Sequence, residues 1–210
     1  MNSSSRSSAR PTVTDRARRF FAWFINPMAD ALMHLGLTPN TLTCLGFLAN
    51  VGVGLLAATG NLIVAGLVFF VSGLFDGLDG ALARRIGVTS KFGAFLDSTL
   101  DRYSEAFVLF GVFIYSGDRG LVLEERLVYA TLVGSLLISY TRARAEGLGL
   151  DCKIGLLTRF ERFFLMAGML ILQQVTVGLL ILSILTHLTA IQRIIHVWRA
   201  TRSVQVRSRE

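Results

Sequence analysis

The stretch FDGLDGALARRIGVTSKFGAFLDSTLDRYSE, Phe75 to Glu105, holds four aspartates, Asp76, Asp79, Asp97 and Asp101, in a chain that is otherwise strongly apolar. Apolar runs flank it on both sides, NLIVAGLVFFVSGLF before and AFVLFGVFIY after. About 20 apolar residues make one bilayer crossing. The stretch therefore reads as the meeting ends of two membrane helices, Leu62 to Ala83 and Phe92 to Ser116, with the short polar segment Arg84 to Lys91 between them.

The same pattern continues outward. A first crossing spans Asn40 to Ala58 and ends at Thr59-Gly60-Asn61. A fourth spans Glu125 to Arg142, and a fifth and sixth share the run Phe163 to Val197 with a turn near Gln173 to Gly178. Six crossings put both termini on one side. The Lys and Arg residues then divide 19 to 2, the exceptions being Arg119 and Arg126, and the positive-inside rule makes the rich side cytoplasmic. Five crossings would place the basic C-terminus outside. The net charge of +7 is thus assigned to topology and anionic lipid, and no basic-aromatic nucleic-acid module is visible.

The expected fold is an all-α integral membrane protein of the cell (inner) membrane, with six transmembrane helices preceded by an N-terminal interfacial amphipathic helix. Residues 1–19, rich in Ser and Arg, read as a flexible cytoplasmic tail. Residues 20–38, with Phe20, Phe21, Trp23 and Phe24 beside a basic flank, read as the interfacial helix, although the start of a longer buried helix fits too. Residues 39–199 form the six-helix catalytic domain and 200–210 a second basic tail. Cys44 and Cys152 stand in no metal spacing and read as packing residues.

Asp76 and Asp79 are three apart and Asp97 and Asp101 four apart, so each pair occupies one helix face. A helical hairpin would converge all four carboxylates at the cytoplasmic end. Converged carboxylates repel one another and resist desolvation, and a divalent cation relieves both. Oxygen ligands without nearby His or Cys favour Mg²⁺, Mn²⁺ or Ca²⁺ over zinc, and two ions would clamp a diphosphate. Arg84 suits phosphate oxygens, and Gly80 leaves room for close approach. The same residues also fit a water-filled pore or helix capping.

The spacing D-x2-D-G-x2-A-R-x8-G-x3-D-x3-D, running from Asp76 to Asp101, resembles the signature of the CDP-alcohol phosphotransferases. That resemblance implies a six-helix membrane enzyme, usually a homodimer, which moves a substituted phosphate from a CDP-linked donor to an alcohol and releases CMP. It implies metal ligation by Asp76, Asp79, Asp97 and Asp101, Mg²⁺ ahead of Mn²⁺ and two ions, with Asp101 also the proton acceptor for the attacking hydroxyl. Gly80, Arg84 and Ser90 correspond to donor-phosphate contacts. Asn40 and Thr43, in LTPNTLT, correspond to cytidine contacts, although Thr38-Pro39-Asn40 is also a good helix start.

A second cluster bears on the acceptor. Ser139-Tyr140-x-Arg142-Ala143-Arg144-Ala145-Glu146, then Glu161-Arg162, then Gln192-Arg193, is similar to the phosphatidylinositol-phosphate synthases. This implies CDP-diacylglycerol as donor and inositol 1-phosphate, a small phosphorylated polyol, as acceptor, bound by Ser139, Arg142, Arg162 and Arg193. Arg142 stands where those enzymes commonly have Lys, and Phe160 where Pro commonly precedes Glu-Arg. Glycerol 3-phosphate, inositol, serine or diacylglycerol are the alternative acceptors. Ser98 and Arg102 depart from the Pro and Lys of phosphatidylglycerophosphate synthases. A cation channel or transporter would need its carboxylates at the bilayer midplane, whereas Arg84, Arg85 and Lys91 place these at the cytoplasmic boundary.

Overall fold

The computed structural model describes residues 37–86 and 90–207, with the side chains of 74–77, 79–81, 83–86 and 203–207 outside the described residues. The expected N-terminal tail and nearly all of the expected interfacial helix also fall outside them. Leu37 and Thr38, the last two residues of that expected helix, are not helical.

Every described element is an α-helix. Helix α1 is Pro39–Ala58. Thr38 starts it from an extended backbone, its hydroxyl accepting from the Thr41 N–H at 3.2 Å, and Pro39 fills the first turn, where its missing N–H costs nothing. Gly60, at φ 89°, reverses the chain into α2, Leu62–Ile86. Ser90 then caps α3, Lys91–Gly117, by accepting from Gly93 N–H at 2.8 Å. Helix α4 is Val122–Gly147, with Glu124 and Glu125 suiting the positive end of its dipole. Helix α5 is Arg159–Ile171, opened by the Glu161 carboxylate accepting from Thr158 N–H at 2.8 Å. Helix α6 is Val175–Arg207.

The six expected segments are therefore six helices, with three boundary corrections. The segment Arg84 to Lys91 is not a separate connection, because α2 continues through Ile86 and α3 begins at Lys91. Helix α4 outruns its apolar centre at both ends. The turn near Gln173 to Gly178 is tighter than expected, with Gln173 at φ 54° and α6 already begun at Val175. Gly178 is helical and serves close packing instead: a Cβ there would lie 2.3 Å from Met169 Cβ.

Each helix packs against two others: α1 on α2 and α3, α2 on α5, α5 on α6, α6 on α4, and α4 on α3. These pairings close a ring whose order in space differs from its order in sequence. Val53, Ala65, Leu109, Val112, Met166, Leu170 and Leu179 fill its core. Small residues set the spacing. At the α1–α3 crossing a Cβ on Gly111 would lie 2.0 Å from the Gly54 carbonyl oxygen, so two backbones touch. At the α4–α6 crossing a Cβ on Gly134 would meet Thr186 Oγ1 at 2.2 Å.

The exterior is apolar. Leu48, Leu55, Phe95 and Leu172 are each more than 60% exposed, a surface water tolerates poorly. By length and composition, α1 and residues Val175–Arg202 of α6 are long and apolar enough to cross a membrane. Helices α3 and α4 carry charged residues within their lengths, which lowers their mean hydropathy.

Gly111→Ala is expected to lower the thermal midpoint in detergent, by about 1–3 kcal/mol of overpacking strain, because only backbone lies in its way. Gly52→Ala, where nothing lies within 4 Å, is expected to leave it unchanged or raise it. Intrinsic-fluorescence melts of the two variants side by side check this.

Candidate active site

Asp97, Asp101 and Glu105 recur every four residues on one stripe of α3. The arginines that Asp101 and Glu105 meet come from within α3 itself and from the start of α5. Asp101, only 12% exposed at its side chain, is paired through Oδ1 with Arg159 Nη2 and through Oδ2 with Arg102 Nη1 at 3.3 Å. One turn along, Glu105 Oε1 accepts from Arg162 Nε at 3.0 Å and from the Ser135 hydroxyl at 2.6 Å, and Oε2 accepts from Arg162 Nη2 at 3.3 Å. Arg162 is buried. Arg102 also donates from Nε to Ser139 Oγ at 3.1 Å and from Nη1 to the Ser98 carbonyl at 2.6 Å. A desolvated charge is costly unless paired and hydrogen-bonded, and each of these charges is both.

Asp101, Glu105, Arg159 and Arg162 line a small cavity of about 60 Å³ between α1, α2, α3 and α5. Thr43 and Asn50 of α1, Ser72 of α2, and Asp101, Ser104 and Glu105 of α3 supply its polar wall, with Arg159 and Arg162 opposite; Phe47, Phe69, Phe163 and Met166 make the rest. The polar wall is organised: Ser72 donates to Asn50 Oδ1 at 3.0 Å, and Asn50 donates to the Gly46 carbonyl at 2.9 Å. Gly73 lets α5 approach, since a Cβ there would stand 2.4 Å from the Phe163 ring.

The sequence-predicted residues divide into four groups. Asp101, Thr43 and Arg162 line this cavity. Asp76, Asp79, Gly80 and Arg84 lie on α2, but their side chains, and so any meeting of the α2 and α3 carboxylates, are outside the described residues. Asn40 and Ser90 stand together at the starts of α1 and α3: a Cβ on Gly93 would lie 2.9 Å from Ser90 Oγ and 3.0 Å from Asn40 Oδ1. Ser139, Arg142 and Arg193 lie outside the cavity. Ser139 opens onto a groove between α3 and α4, Arg142 pairs with Glu146 at 2.8 Å, and buried Arg193 donates to the carbonyls of Ile154, at 2.9 Å, and Ile138.

Arg102, Arg159 and Glu105 are the site residues that sequence reasoning missed. Glu105 had a signal, since it extends the four-residue acidic spacing by one step. Arg159 lies 58 residues from Asp101, and no local pattern links them.

The donor set fits a hard divalent cation. Asp97 is half-buried and has no ion pair among the described residues, one turn from an Asp101 that already draws two guanidinium groups. Among the described residues no three His, Cys, Asp or Glu side chains form a metal-holding group, and two of the four aspartates lie outside that set.

The model of the CDP-alcohol phosphatidyltransferase family matches residues 36–199. The chain belongs to that family. It is 40% identical over 168 residues to archaetidylinositol phosphate synthase of Pyrococcus horikoshii, covering 80% of this chain and 87% of that one. It is 38% identical over 147 residues to phosphatidylinositol phosphate synthase of Cutibacterium acnes, covering 69% and 71%. Among solved structures, phosphatidylinositol phosphate synthase of Mycobacterium tuberculosis with CDP-DAG bound superposes with a TM-score of 0.78 at 34% identity, covering 83% of this chain and 93% of that one. The same enzyme in complex with manganese and citrate gives 0.77. The phosphatidyltransferase match thus takes in all of α1 to α5, the cavity between them, and most of α6.

Arg193 ties α6 to both the α4 end and the segment before α5. Arg193→Met is expected to cost about 1.5–3 kcal/mol, the range for hydrogen bonds to a charged group, and to speed limited proteolysis within residues 148–158. A cleavage rate equal to wild type would show that the tie is not needed.

Proposed function

We propose that this phosphatidyltransferase transfers the phosphatidyl group of CDP-diacylglycerol to inositol 1-phosphate and releases CMP. The observation that carries this reading is the cavity itself, where Asp101 sits between guanidinium groups at a wall shared with buried Arg162. A carboxylate and an arginine lining one polar space support this reading.

A divalent ion held by Asp76, Asp79, Asp97 and Asp101, Mg²⁺ before Mn²⁺ and two ions rather than one, supplies charge neutralisation of the diphosphate when bound. The chain's residues do the rest. Asn40 and Thr43 hold the cytidine, and Gly80, Arg84 and Ser90 the donor phosphates. Arg162, Ser139, Arg142 and Arg193 orient the phosphorylated polyol. Its hydroxyl attacks the lipid-bearing phosphorus, the bond from that phosphorus to CMP breaks, and Asp101 takes the hydroxyl proton. Arginine suits the acceptor because its planar fork matches a phosphate.

The setting follows from the same reading. The enzyme crosses the cell membrane six times, with an interfacial helix at 20–38, basic tails at 1–19 and 200–210, and the catalytic domain at 39–199. Both termini and the site are cytoplasmic, and two copies form the homodimer. One observation favours a different acceptor, such as unphosphorylated inositol: Arg142, Arg193 and Ser139 are each engaged by other groups of the chain.

Purified protein with CDP-diacylglycerol and Mg²⁺ is expected to release CMP on adding inositol 1-phosphate, not inositol, and to stop on adding EDTA. Release with glycerol 3-phosphate alone would replace the acceptor and keep the chemistry. Asp101→Asn is expected to lower turnover by about 10²–10⁴-fold, the range for general base catalysis. Turnover within ten-fold of wild type would remove Asp101 from that role.

A further inference from the structure

Glu105 continues the acidic stripe of α3, yet its partners set it apart from Asp97 and Asp101. Its carboxylate is occupied. Oε1 receives Arg162 Nε and the Ser135 hydroxyl, and Oε2 receives Arg162 Nη2. Both members of the pair are nearly sealed, with side chains 15% and 6% exposed. One edge of the Arg162 guanidinium, Nε and Nη2, is therefore spent on Glu105, and Nη1 has no protein partner among the described residues. A guanidinium gripped this way has lost most of its freedom before any ligand arrives, and it offers an incoming anion one fixed pair of N–H groups.

The geometry points to Glu105 as a positioning residue: it fixes Arg162 for the anionic group of the acceptor alcohol and is not a metal ligand. This rests on the acceptor reading of Arg162 given above. Ser135, from the helix opposite, locks the carboxylate in turn, so α3, α4 and α5 together set the direction of one guanidinium. The neutral Glu105–Arg162 pair also explains how an arginine persists at this depth when the cavity is empty of anions.

Steady-state CMP release with CDP-diacylglycerol and inositol 1-phosphate is measured for Glu105→Gln, Glu105→Asp, Arg162→Gln and the Glu105→Gln/Arg162→Gln double variant. Mn²⁺ binding is followed in parallel by electron paramagnetic resonance. Glu105→Gln is expected to raise the acceptor KM at least about ten-fold, the loss of one charged hydrogen bond, with the donor KM within about two-fold of wild type. Glu105→Asp recovers part of the loss. The double variant is no worse than Arg162→Gln, because Glu105 acts only through Arg162. Mn²⁺ binding by Glu105→Gln keeps the wild-type stoichiometry and affinity. Donor and acceptor KM rising together, additive losses in the double variant, or a lost Mn²⁺ ion would each overturn the proposal. If Glu105→Gln fails to fold, Ser135→Ala removes one Glu105 bond and is expected to shift the acceptor KM the same way, about three-fold; an unchanged acceptor KM in that variant counts against the proposal. A wild type inactive with inositol 1-phosphate is a failure of the acceptor reading alone, and the same variants are then compared with the phosphorylated alcohol that does release CMP.

Discussion

Charge inside a bundle of apolar helices persists only where opposite charge meets it, and that constraint organises this molecule. The acids seen paired in the cavity, Asp101 and Glu105, come from one helix, α3. Most of the bases come from the first turn of another, α5, and Arg102 of α3 bridges across to α4. The pairings with Arg159 and Arg162 tie α3 to α5. The cavity exists because the helices bearing these charges are held apart by the length of two side chains, not by the thickness of a Leu-packed interface.

Small residues provide the opposing condition. Gly54 against Gly111 lets α1 lie directly on α3, and Gly73 lets α5 come up to α2. Where backbones touch, helices are locked close; where arginine meets carboxylate, they are spread. The glycine contacts lie between ring neighbours, while the arginine–carboxylate pairs of α3 and α5 reach across the polar cavity, where Ser72 donates to Asn50 on the α1–α2 side.

Much of this was legible in the sequence because membrane helices announce themselves by run length. The six segments follow from apolar runs and their polar punctuation, and Thr38 and Thr59-Gly60-Asn61 mark the ends of α1. The fixed spacing from Asp76 to Asp101 carried the family. What stayed hidden was tertiary. The α4 helix outran its apolar centre because its ends are charged, Gly178 looked like a turn residue but is a packing contact, and the acidic spacing that reaches Glu105 does not name its partner. The pairing of α3 acids with arginines 57 and 58 residues later has no local trace, since nothing in the sequence says that α5, rather than α4, closes the cavity on that side.

The ring runs α1, α2, α5, α6, α4, α3, so the chain meets its neighbours out of order. During synthesis α1, α2 and α3 emerge first, and α1 gathers the other two. Asp101 and Glu105 then wait, unmatched by α5, while the whole of α4 is made. Only when Arg159 and Arg162 leave the ribosome does the chamber gain its far wall and its counter-charges together. Assembly of the polar site is thereby deferred to the closing of the circle, and a nascent chain cut short before α5 holds an acid-lined cleft that lacks the two arginines of α5 and keeps only Arg102 beside Asp101.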